Sequence, residues 1–415
     1  MDAVTALAGF IVLLFAIPSS LGIGPLGSAG APATVIGIIG FLWWSWYHVQ
    51  RAEFRRGGVQ PVRWAIAAFL LSVAISYVWA MARPLPADEV SPADSGLLRV
   101  VSLCGIALVA NDGIRSLERM RQLVRFVVAA AAAVSALSIL QVATGRLWVD
   151  RIAVPGLVHT AVMDLGDRAG LIRPSGTASH PLEFASVLAM TFPLAIMYVK
   201  GKGRLRPLYA VLLSCLFLGV LLSLSRTAIL CLAIGLVFIL PTLPRSWRIA
   251  GGIGAVALTG VLYVTVPGIV GTLRGMFLGI SGDPSVQSRT DSYALVAEFI
   301  GRSPIVGRGL GTFLPKYWIL DNMYLQILIE LGMVGLLALL AVFVSAIVCA
   351  LSARRSTWAS ADKDLATGVA AGVSAGAVSL AFFDTFAFPQ SAFVLFLLVG
   401  MAGAYRRLAT VALDH

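Results

Sequence analysis

Apolar runs of helix-spanning length recur along most of the chain, separated by short polar segments. An α-helix needs about 20 apolar residues to cross the hydrocarbon core of a bilayer, so each run predicts a membrane-spanning helix. Twelve runs fit this description, at approximately 4–22, 30–48, 64–82, 96–111, 123–143, 182–199, 207–224, 227–241, 249–266, 322–350, 364–383 and 388–405. The pattern predicts an all-α, polytopic membrane protein with about 12 transmembrane helices, forming a single membrane domain over residues 1–415.

The composition agrees with this class. Hydrophobic residues make up 59% of the chain, charged residues 12%, and the mean hydropathy is +0.90, which exceeds what a soluble core of this length requires. Asp2 is the only charge before the first run, so a cleaved signal peptide is not expected. Each of the four cysteines falls within an apolar run, where cysteine behaves as a small hydrophobe, and no structural disulfide is expected.

The lysines and arginines of the short loops predict the orientation. If the count of runs is right, almost all of them fall on one side, which the positive-inside rule assigns to the cytoplasm together with both termini. Two long loops, at about 144–181 and 267–320, then lie outside. They carry a second group of cations, consisting of Arg146, Arg151, Arg168, Arg173, Arg274, Arg289, Arg302, Arg308 and Lys316. The net charge of +11 is therefore only partly cytoplasmic.

Polar residues stand at two external helix ends. The sequence RPSGTASHPLEFA closes the first long loop and places Arg173 and His180 at the mouth of the sixth run, with Glu183 expected as an interfacial charge. The stretch from Val211 to Leu240 is too long for one span and must turn near Arg226. An arginine at that depth needs a partner or a wet cavity. The alternatives are a snorkelling Arg226 and a structural His180.

The second long loop contains a predicted helix. Ser288 and Asp291 match a loose capping-box pattern, and apolar residues recur at helical spacing from Leu295 to Ile300. This pattern places Arg289 in the first turn of a short helix that lies on the membrane surface or over a cavity.

A glycine-rich segment follows, in which Gly307, Gly309 and Gly311 alternate with Arg308 and a leucine. Glycines permit close backbone approach and exposed amides, which suit a phosphate. A flexible loop is the alternative interpretation.

Asp321 and Asn322 begin the tenth run. At helical spacing, Asp321 lies on one face with Gly332 and Gly335, two glycines that permit another helix to pack closely. Asp321 is either an N-cap carboxylate or a reactive group, and both roles are compatible. Glu330 lies on the opposite face near mid-membrane and requires a partner or a proton.

Together these segments resemble the O-antigen ligase and polysaccharide polymerase superfamily of bacterial membrane proteins. The family signature is His-Asn (or Ser, Gln), nine residues, Gly, two residues, Gly. Asp321-Asn322 followed by Gly332 and Gly335 matches it, except that Asp replaces His. The segments RPSGTASHP, SRTA, SRTDSYALVAEF and SPIVGRGLGTF also resemble the family, so the similarity extends from Arg173 to Gly335.

The resemblance implies an enzyme that takes a glycan from an undecaprenyl-pyrophosphate carrier on the external face and transfers it, with inversion, to an acceptor hydroxyl. Arginine suits the leaving pyrophosphate, and the acceptor needs a base. The implied catalytic residues are Asp321 and Arg289. The implied substrate-binding residues are Arg173, Arg226, Arg308, Asn322, His180 and Tyr324, and the implied structural glycines are Gly307, Gly309, Gly311, Gly332 and Gly335.

The family suggests neither a metal nor another cofactor, although a carboxylate beside a pyrophosphate leaves Mg²⁺ open. The implied location is the bacterial inner membrane. The expected partners are the carrier-linked donor, an acceptor glycan, the lipid bilayer and other polysaccharide-assembly membrane proteins, with no nucleic acid. The His-to-Asp difference favours a polymerase. The alternatives are a ligase acting on a lipid or protein, a transporter or flippase for polyprenyl-linked glycan, and an inactive scaffold.

Overall fold

The computed structural model describes residues 2–24, 30–50, 59–160, 165–168, 170–201, 203–278, 284–356 and 358–411, with the side chains of 277, 284–291 and 411 outside the description. Within these ranges the chain is almost entirely helical. The α-helices are α1 (Ala3–Ala16), α2 (Pro32–Gln50), α3 (Pro61–Met81), α4 (Ala87–Gly113), α5 (Leu117–Thr144), α6 (Pro181–Lys200), α7 (Arg206–Leu222), α8 (Arg226–Ile239), α9 (Arg245–Thr265), α10 (Ile269–Leu278), α11 (Pro284–Arg302), α12 (Met323–Ser352), α13 (Ser360–Ser379) and α14 (Pro389–Val411).

Each predicted apolar run coincides with one of these helices, namely α1 to α9 and α12 to α14. Among the described residues, seven helices are long and apolar enough to cross a membrane, and three further apolar helices are shorter. The all-α, polytopic architecture agrees with the prediction, whereas the count of about 12 spans stays a prediction. The first run was expected to reach residue 22, but α1 ends at Ala16 because Ile17 turns extended just before Pro18.

The core lies around α6 and α14. In each of these helices 78% of the most apolar stretch is buried, whereas the value for α9 at the periphery is 6%. Small residues let the central helices approach closely. A Cβ added to Gly400 of α14 would lie 2.2 Å from the carbonyl oxygen of Ala107 in α4, so a larger residue at position 400 would force these two helices apart.

Short strands that the all-α prediction did not include lie in the first long loop and in the α1–α2 connection that pairs with it. Strand β1 (Leu21–Gly22) pairs with β2 (Val158–His159), and β3 (Gly166–Arg168) pairs with β4 (Leu171–Arg173), both antiparallel. Within the described ranges, short 3₁₀ turns lie at Val149–Arg151, Leu240–Thr242, Ala353–Arg355 and Thr385–Ala387. The loop is thus folded against the helix ends.

The second long loop differs from its prediction in one respect. A helix does cover Leu295 to Ile300, but α11 begins at Pro284, so Ser288 lies inside the helix and the capping-box interpretation is wrong. Arg289 consequently stands beyond the first turn. The expected hairpin turn between the seventh and eighth runs is confirmed, since α7 ends at Leu222 and α8 begins at Arg226.

Ion pairs join the helices at the end of the bundle opposite the two long loops. Arg121 contacts Asp362 at 2.7 Å and Lys200 contacts Asp364 at 2.6 Å, which ties α5 and α6 to α13. These pairs involve the short, cation-rich loops. The cytoplasmic orientation of this end remains a prediction.

Candidate functional site

The segment from Arg173 to His180 is held rigidly at the mouth of α6. Gln141 of α5 accepts the N–H of Gly176 at 2.9 Å and donates to its carbonyl oxygen at 3.0 Å. The Glu183 carboxylate accepts the N–H of Ser179 at 2.8 Å and the N–H of Gln390 at 2.6 Å. Glu183 is fully buried, so its prediction as an interfacial charge is wrong. Its role is to fasten this segment to the start of α14.

His180 is the N-cap of α6. Its Nδ1 accepts the backbone N–H of Leu182 at 3.1 Å, and its ring packs against Phe388, with ring centroids 5.9 Å apart. The side chain is half-buried. The imidazole is therefore fixed in orientation by a helix terminus on one side and by an aromatic ring from the α13–α14 connection on the other.

Two arginines of the first long loop reach the turn between α7 and α8. Arg173 donates from Nε to the carbonyl oxygen of Ser223 at 2.9 Å, and Arg168 donates from Nη1 to that of Leu224 at 3.1 Å. Both carbonyls lie at the C-terminal end of α7, where cations are stabilised by the helix dipole. Burial, together with the charge of Arg168, lowers the pKa of Arg173 to about 10, so Arg173 remains charged at neutral pH.

Arg226 occupies the first position of α8 on this same turn. Ser225 caps the helix by accepting the N–H of Ala228, and Arg226 donates from Nη1 to the carbonyl oxygen of Met276 in α10, at 3.1 Å. The structure thus brings Arg173 and Arg226 to one turn, because Arg173 is bonded to Ser223, three residues before Arg226. An arginine at a helix N-terminus beside other cations is suited to an anionic ligand.

Asp321 and Asn322 have different roles at the start of α12. Asn322 is the N-cap, and its Oδ1 accepts the N–H groups of Tyr324 and Leu325 at 3.0 and 3.2 Å. The N-cap interpretation of Asp321 is therefore wrong. Asp321 lies just outside the helix and is half-buried. The N–H of Met323 donates to the carbonyl oxygen of Leu380 at 2.7 Å, which ties this point to the end of α13.

His180 lies within the electrostatic reach of both long loops. Burial lowers the pKa of His180, the charge of Arg173 lowers it further, and the charge of Asp321 opposes them. The cation of the first loop and the carboxylate at the end of the second loop therefore act on one imidazole. Arg173, His180 and Asp321, three of the predicted site residues, therefore interact electrostatically, although 141 positions separate His180 from Asp321 along the chain.

The glycine-rich segment has a structural setting. Gly307, Gly309 and Gly311 all have positive φ, at 72°, 116° and 76°. The N–H of Arg308 donates to the carbonyl oxygen of Ile329 at 3.0 Å, and that of Gly309 to the carbonyl oxygen of Glu330 at 2.8 Å. These amides are used within the chain, so neither a phosphate-binding backbone nor a flexible loop describes the segment.

Helix α12 is broken where this segment meets it. Gly332 has φ 66° and ψ −168°, and the N–H groups of Met333 and Val334 donate to the carbonyl oxygens of Pro304 and Ile305. Gly332 therefore admits the incoming loop, and the predicted close packing of another helix is not what it provides. Gly335 follows within the same helix, where an added Cβ would lie 2.2 Å from the Leu331 Cβ.

Glu330 is buried beside this break. Its carboxylate accepts the N–H of Phe313 at 3.1 Å, and its carbonyl oxygen accepts the hydroxyl of Ser76 at 2.7 Å. The partner that the sequence required for Glu330 is thus the backbone of the second long loop.

Arg308 is held by residues of α4 and of its own loop. Its guanidinium contacts the fully buried Glu89 carboxylate of α4 at 2.7 Å and lies over the ring of Tyr317, 4.8 Å from its centroid. These contacts favour a structural role.

Tyr324 donates its hydroxyl to the carbonyl oxygen of Ala377 at 2.6 Å, which joins α12 to α13. The substrate-binding predictions for Arg308 and Tyr324 remain untested.

The side chain of Arg289 lies outside the described residues, although its backbone belongs to α11. Among the described side chains, no group of three or more histidines, cysteines or acidic residues has the arrangement of a metal site.

The sequence analysis gave no role to two arginines that have specific partners in the structure. Arg168 stands opposite Leu171 across the β3–β4 hairpin, and the alternation of side chains from Arg168 to Arg173 was the available signal. Arg99 lies inside α4, where its charge interacts with Asp384 and Glu330. An arginine within an apolar run is costly unless it has a partner or a function. The position of Arg99 inside such a run was therefore a signal of the same kind as the position of Arg226.

A comparison with protein families adds an independent finding. Residues 209–340 match the model of a family described as O-antigen ligase. A comparison with curated proteins gives no match. The matched segment runs from α7 into α12 and includes Arg226 and Asp321, whereas Arg173 and His180 precede it. The match confirms the resemblance for this segment: residues 209–340 are similar to the O-antigen ligase family.

Proposed function

We propose that this protein is a polysaccharide polymerase of the bacterial inner membrane. It transfers a glycan from an undecaprenyl-pyrophosphate carrier to a hydroxyl of a second, carrier-linked repeat unit. The family match supports the broader class, a membrane glycosyltransferase of the ligase and polymerase type. The polymerase assignment, the carrier and the inverting course belong to the proposal.

One observation carries the proposal: His180 lies within the electrostatic reach of both Arg173 and Asp321. A glycosyl transfer from a pyrophosphate carrier needs a cation at the leaving group and a base at the acceptor, close to one reacting carbon. A cation from the first long loop and a carboxylate from the end of the second supply this pair of charges.

The leaving group is assigned to the turn between α7 and α8. Arg173 and Arg226 both lie at this turn, where backbone carbonyls orient each guanidinium. Arginine suits pyrophosphate because its planar fork can bond two phosphate oxygens. Arg168 supports Arg173 from the same hairpin. Arg289 is proposed as a further cation at this site, on the strength of the family resemblance.

The acceptor is assigned to Asp321. The acceptor oxygen attacks the anomeric carbon, the bond from that carbon to the phosphate oxygen breaks, and its electron pair stays on the pyrophosphate. The acceptor proton passes to the Asp321 carboxylate. Attack from the side opposite the leaving group inverts the anomeric configuration. No cofactor takes part in this sequence of bond changes.

A ligase is the second candidate, because the matching family is described as O-antigen ligase. The ligase and the polymerase share the donor site and differ in the acceptor. Asp321 in the place of the family's histidine favours the polymerase by analogy. Purified protein supplied with carrier-linked repeat units as both donor and acceptor will elongate them if it is a polymerase, whereas a ligase will not.

A transporter would be favoured by a broken helix that lines an open cavity. Helix α12 is broken at Gly332, yet its exposed N–H groups are bonded by residues 304 and 305 of the same chain. The break therefore forms part of the packed interior, which supports the enzyme over the transporter.

The deciding experiment measures elongation of carrier-linked glycan by the purified protein in lipid nanodiscs. We expect Asp321→Asn to lower the rate by roughly 10²–10⁴-fold, the loss typical for a general base. Asp94→Asn is the matched control, because Asp94 is an exposed carboxylate that accepts a hydrogen bond from Tyr77 on the preceding helix.

Arg173→Lys should also lower the rate, since lysine lacks the bidentate fork of arginine. Arg146→Lys is its control and should not lower the rate, because Arg146 is exposed. Wild-type rates in Asp321→Asn would refute the base assignment.

A further inference from the structure

The tautomer of His180 follows from its hydrogen bond. Nδ1 lies 3.1 Å from the backbone nitrogen of Leu182, and a backbone N–H is only a donor. Nδ1 must therefore be the acceptor and carries no proton. In a neutral imidazole the single ring proton then resides on Nε2. The helix terminus, and not the titration of the ring, decides which nitrogen is protonated.

The choice of histidine as a cap is unusual. Asn, Asp and Ser are the preferred N-cap residues, since each accepts the same N–H with a shorter side chain. Histidine adds what none of these provides, a second nitrogen on the far side of the ring. Among the described residues Nε2 has no hydrogen-bond partner, and the half-buried ring packs on Phe388. Nε2–H is thus an oriented donor at the mouth of α6.

The charge that acts on His180 indicates the kind of ligand that Nε2–H would bind. Arg173 acts electrostatically on His180, and the Arg173 guanidinium is bonded to the same α7–α8 turn that carries Arg226. A neutral N–H beside an arginine adds a hydrogen bond to an anion without adding charge. In this ring the Nδ1 lone pair accepts the Leu182 N–H and Nε2 carries the proton, so neither nitrogen is available to take a proton from the acceptor hydroxyl. His180 is therefore unsuited to be the base, and that role stays with Asp321.

We infer that the Nε2–H of His180 donates a hydrogen bond to a phosphate oxygen of the leaving pyrophosphate. This inference rests on the proposed function for the identity of the substrate. As the bond from the anomeric carbon to the phosphate breaks, the electron pair moves onto phosphate oxygen, and the donor bond strengthens with the growing negative charge. No proton leaves His180, so the imidazole returns unchanged after each transfer.

Two substitutions separate the cap from the donor. His180→Asn keeps an oxygen that accepts the Leu182 N–H but removes Nε2–H. His180→Gln offers an amide N–H farther from the backbone but is a poorer cap. Pyrophosphate binding is measured by calorimetry on wild type and both variants in nanodiscs, with inorganic pyrophosphate as the probe. Elongation rates are measured on the same samples.

We expect His180→Asn to retain the melting temperature of the wild type and to weaken pyrophosphate binding by about ten- to a hundredfold, as for a lost hydrogen bond to a charged group. Its turnover should fall by about 10²-fold or more, the loss seen when a donor to a developing oxyanion is removed. His180→Gln should melt lower and bind pyrophosphate more tightly than His180→Asn. Unchanged pyrophosphate affinity in His180→Asn overturns the inference, as does a change confined to the KM of the acceptor.

The two proposals fail in different ways. If the wild type elongates no glycan, the proposed function is wrong, while the binding of inorganic pyrophosphate still decides the role of His180. If elongation occurs and His180→Asn leaves both rate and affinity unchanged, only the donor assignment is wrong.

Discussion

Gly307 lies directly against the backbone of Glu330: a Cβ at position 307 would be 2.2 Å from the carbonyl oxygen of Glu330. This contact seats the second long loop in the break of α12. It also places the loop at a positive φ of 72°, which residues with a side chain rarely adopt.

Gly307→Ala should therefore destabilise the protein. The left-handed backbone alone costs about 1–2 kcal/mol for a residue with a Cβ, and the overlap with backbone atoms adds to it. We expect a clearly lower melting temperature in detergent. Gly301→Ala is the control, because Gly301 lies in α11 with nothing within 4 Å of an added Cβ. An unchanged melting temperature in Gly307→Ala would contradict the contact.

The two residues before α12 should separate stability from catalysis. Asn322→Ala removes the N-cap and should destabilise the protein by about 1 kcal/mol. Asp321→Ala leaves the cap in place and should melt close to the wild type while losing elongation. Thermal melts and elongation assays on both variants test this. If Asp321→Ala retains elongation, the catalytic role assigned to Asp321 from the family signature is wrong.

Arg308 and Arg173 should behave in opposite ways. Arg308→Gln removes the nearer of two cations that pair with the buried Glu89 carboxylate and leaves Lys316 at 3.7 Å. Breaking a buried pair costs about 3–5 kcal/mol. Loss of folded protein should therefore dominate its phenotype. Arg173→Lys should fold normally and lose pyrophosphate affinity. A well-folded Arg308→Gln protein with weakened pyrophosphate binding would instead return Arg308 to the substrate site.

Stability should depend on the titration of His180. The pKa of His180 is lowered in the folded protein by burial and by Arg173, while an unfolded histidine titrates near about 6.5. Between these two values the unfolded chain binds more protons than the folded one. Stability from this group is therefore full above the unfolded pKa and falls as the pH drops through it.

Protonation would also place a proton on Nδ1, facing the N–H of Leu182. Melting temperatures measured from pH 8 to pH 5 should decline more steeply for wild type than for His180→Asn. Parallel curves would show that His180 does not titrate with unfolding.

The orientation is tested by labelling single cysteines in a cysteine-free background with a membrane-impermeant reagent. Ala153→Cys in the first long loop should react in intact spheroplasts, and Arg204→Cys between α6 and α7 should react only after lysis. Both positions are exposed, so accessibility within the fold does not limit the reaction. The reverse pattern would move the proposed site to the cytoplasmic face.

The sequence by itself determined the helices of this protein and the family to which its central segment is matched. Every apolar run became a helix, because apolar side chains in runs of this length satisfy the membrane only when the backbone is bonded within the segment. The turn at Arg226 and the helix over Leu295 to Ile300 could also be predicted, because both follow from the spacing of apolar residues along a short stretch of chain. The family match over residues 209–340 includes the signature from Asp321 to Gly335, which lies within one short stretch of sequence and can be recognised without the structure.

Only the tertiary structure decided which side chains meet. The burial of Glu183, the pairing of Arg308 with Glu89 and the hydrogen bonds of the glycine segment all join residues that are distant in sequence. Local patterns assigned the cap of α12 to Asp321 and the start of α11 to Ser288, because an acidic or hydroxyl residue before a helix suits several positions equally. The protonated nitrogen of His180 depends on a backbone N–H two residues away, and its meaning depends on Arg173 and Asp321, which only folding brings to the same ring.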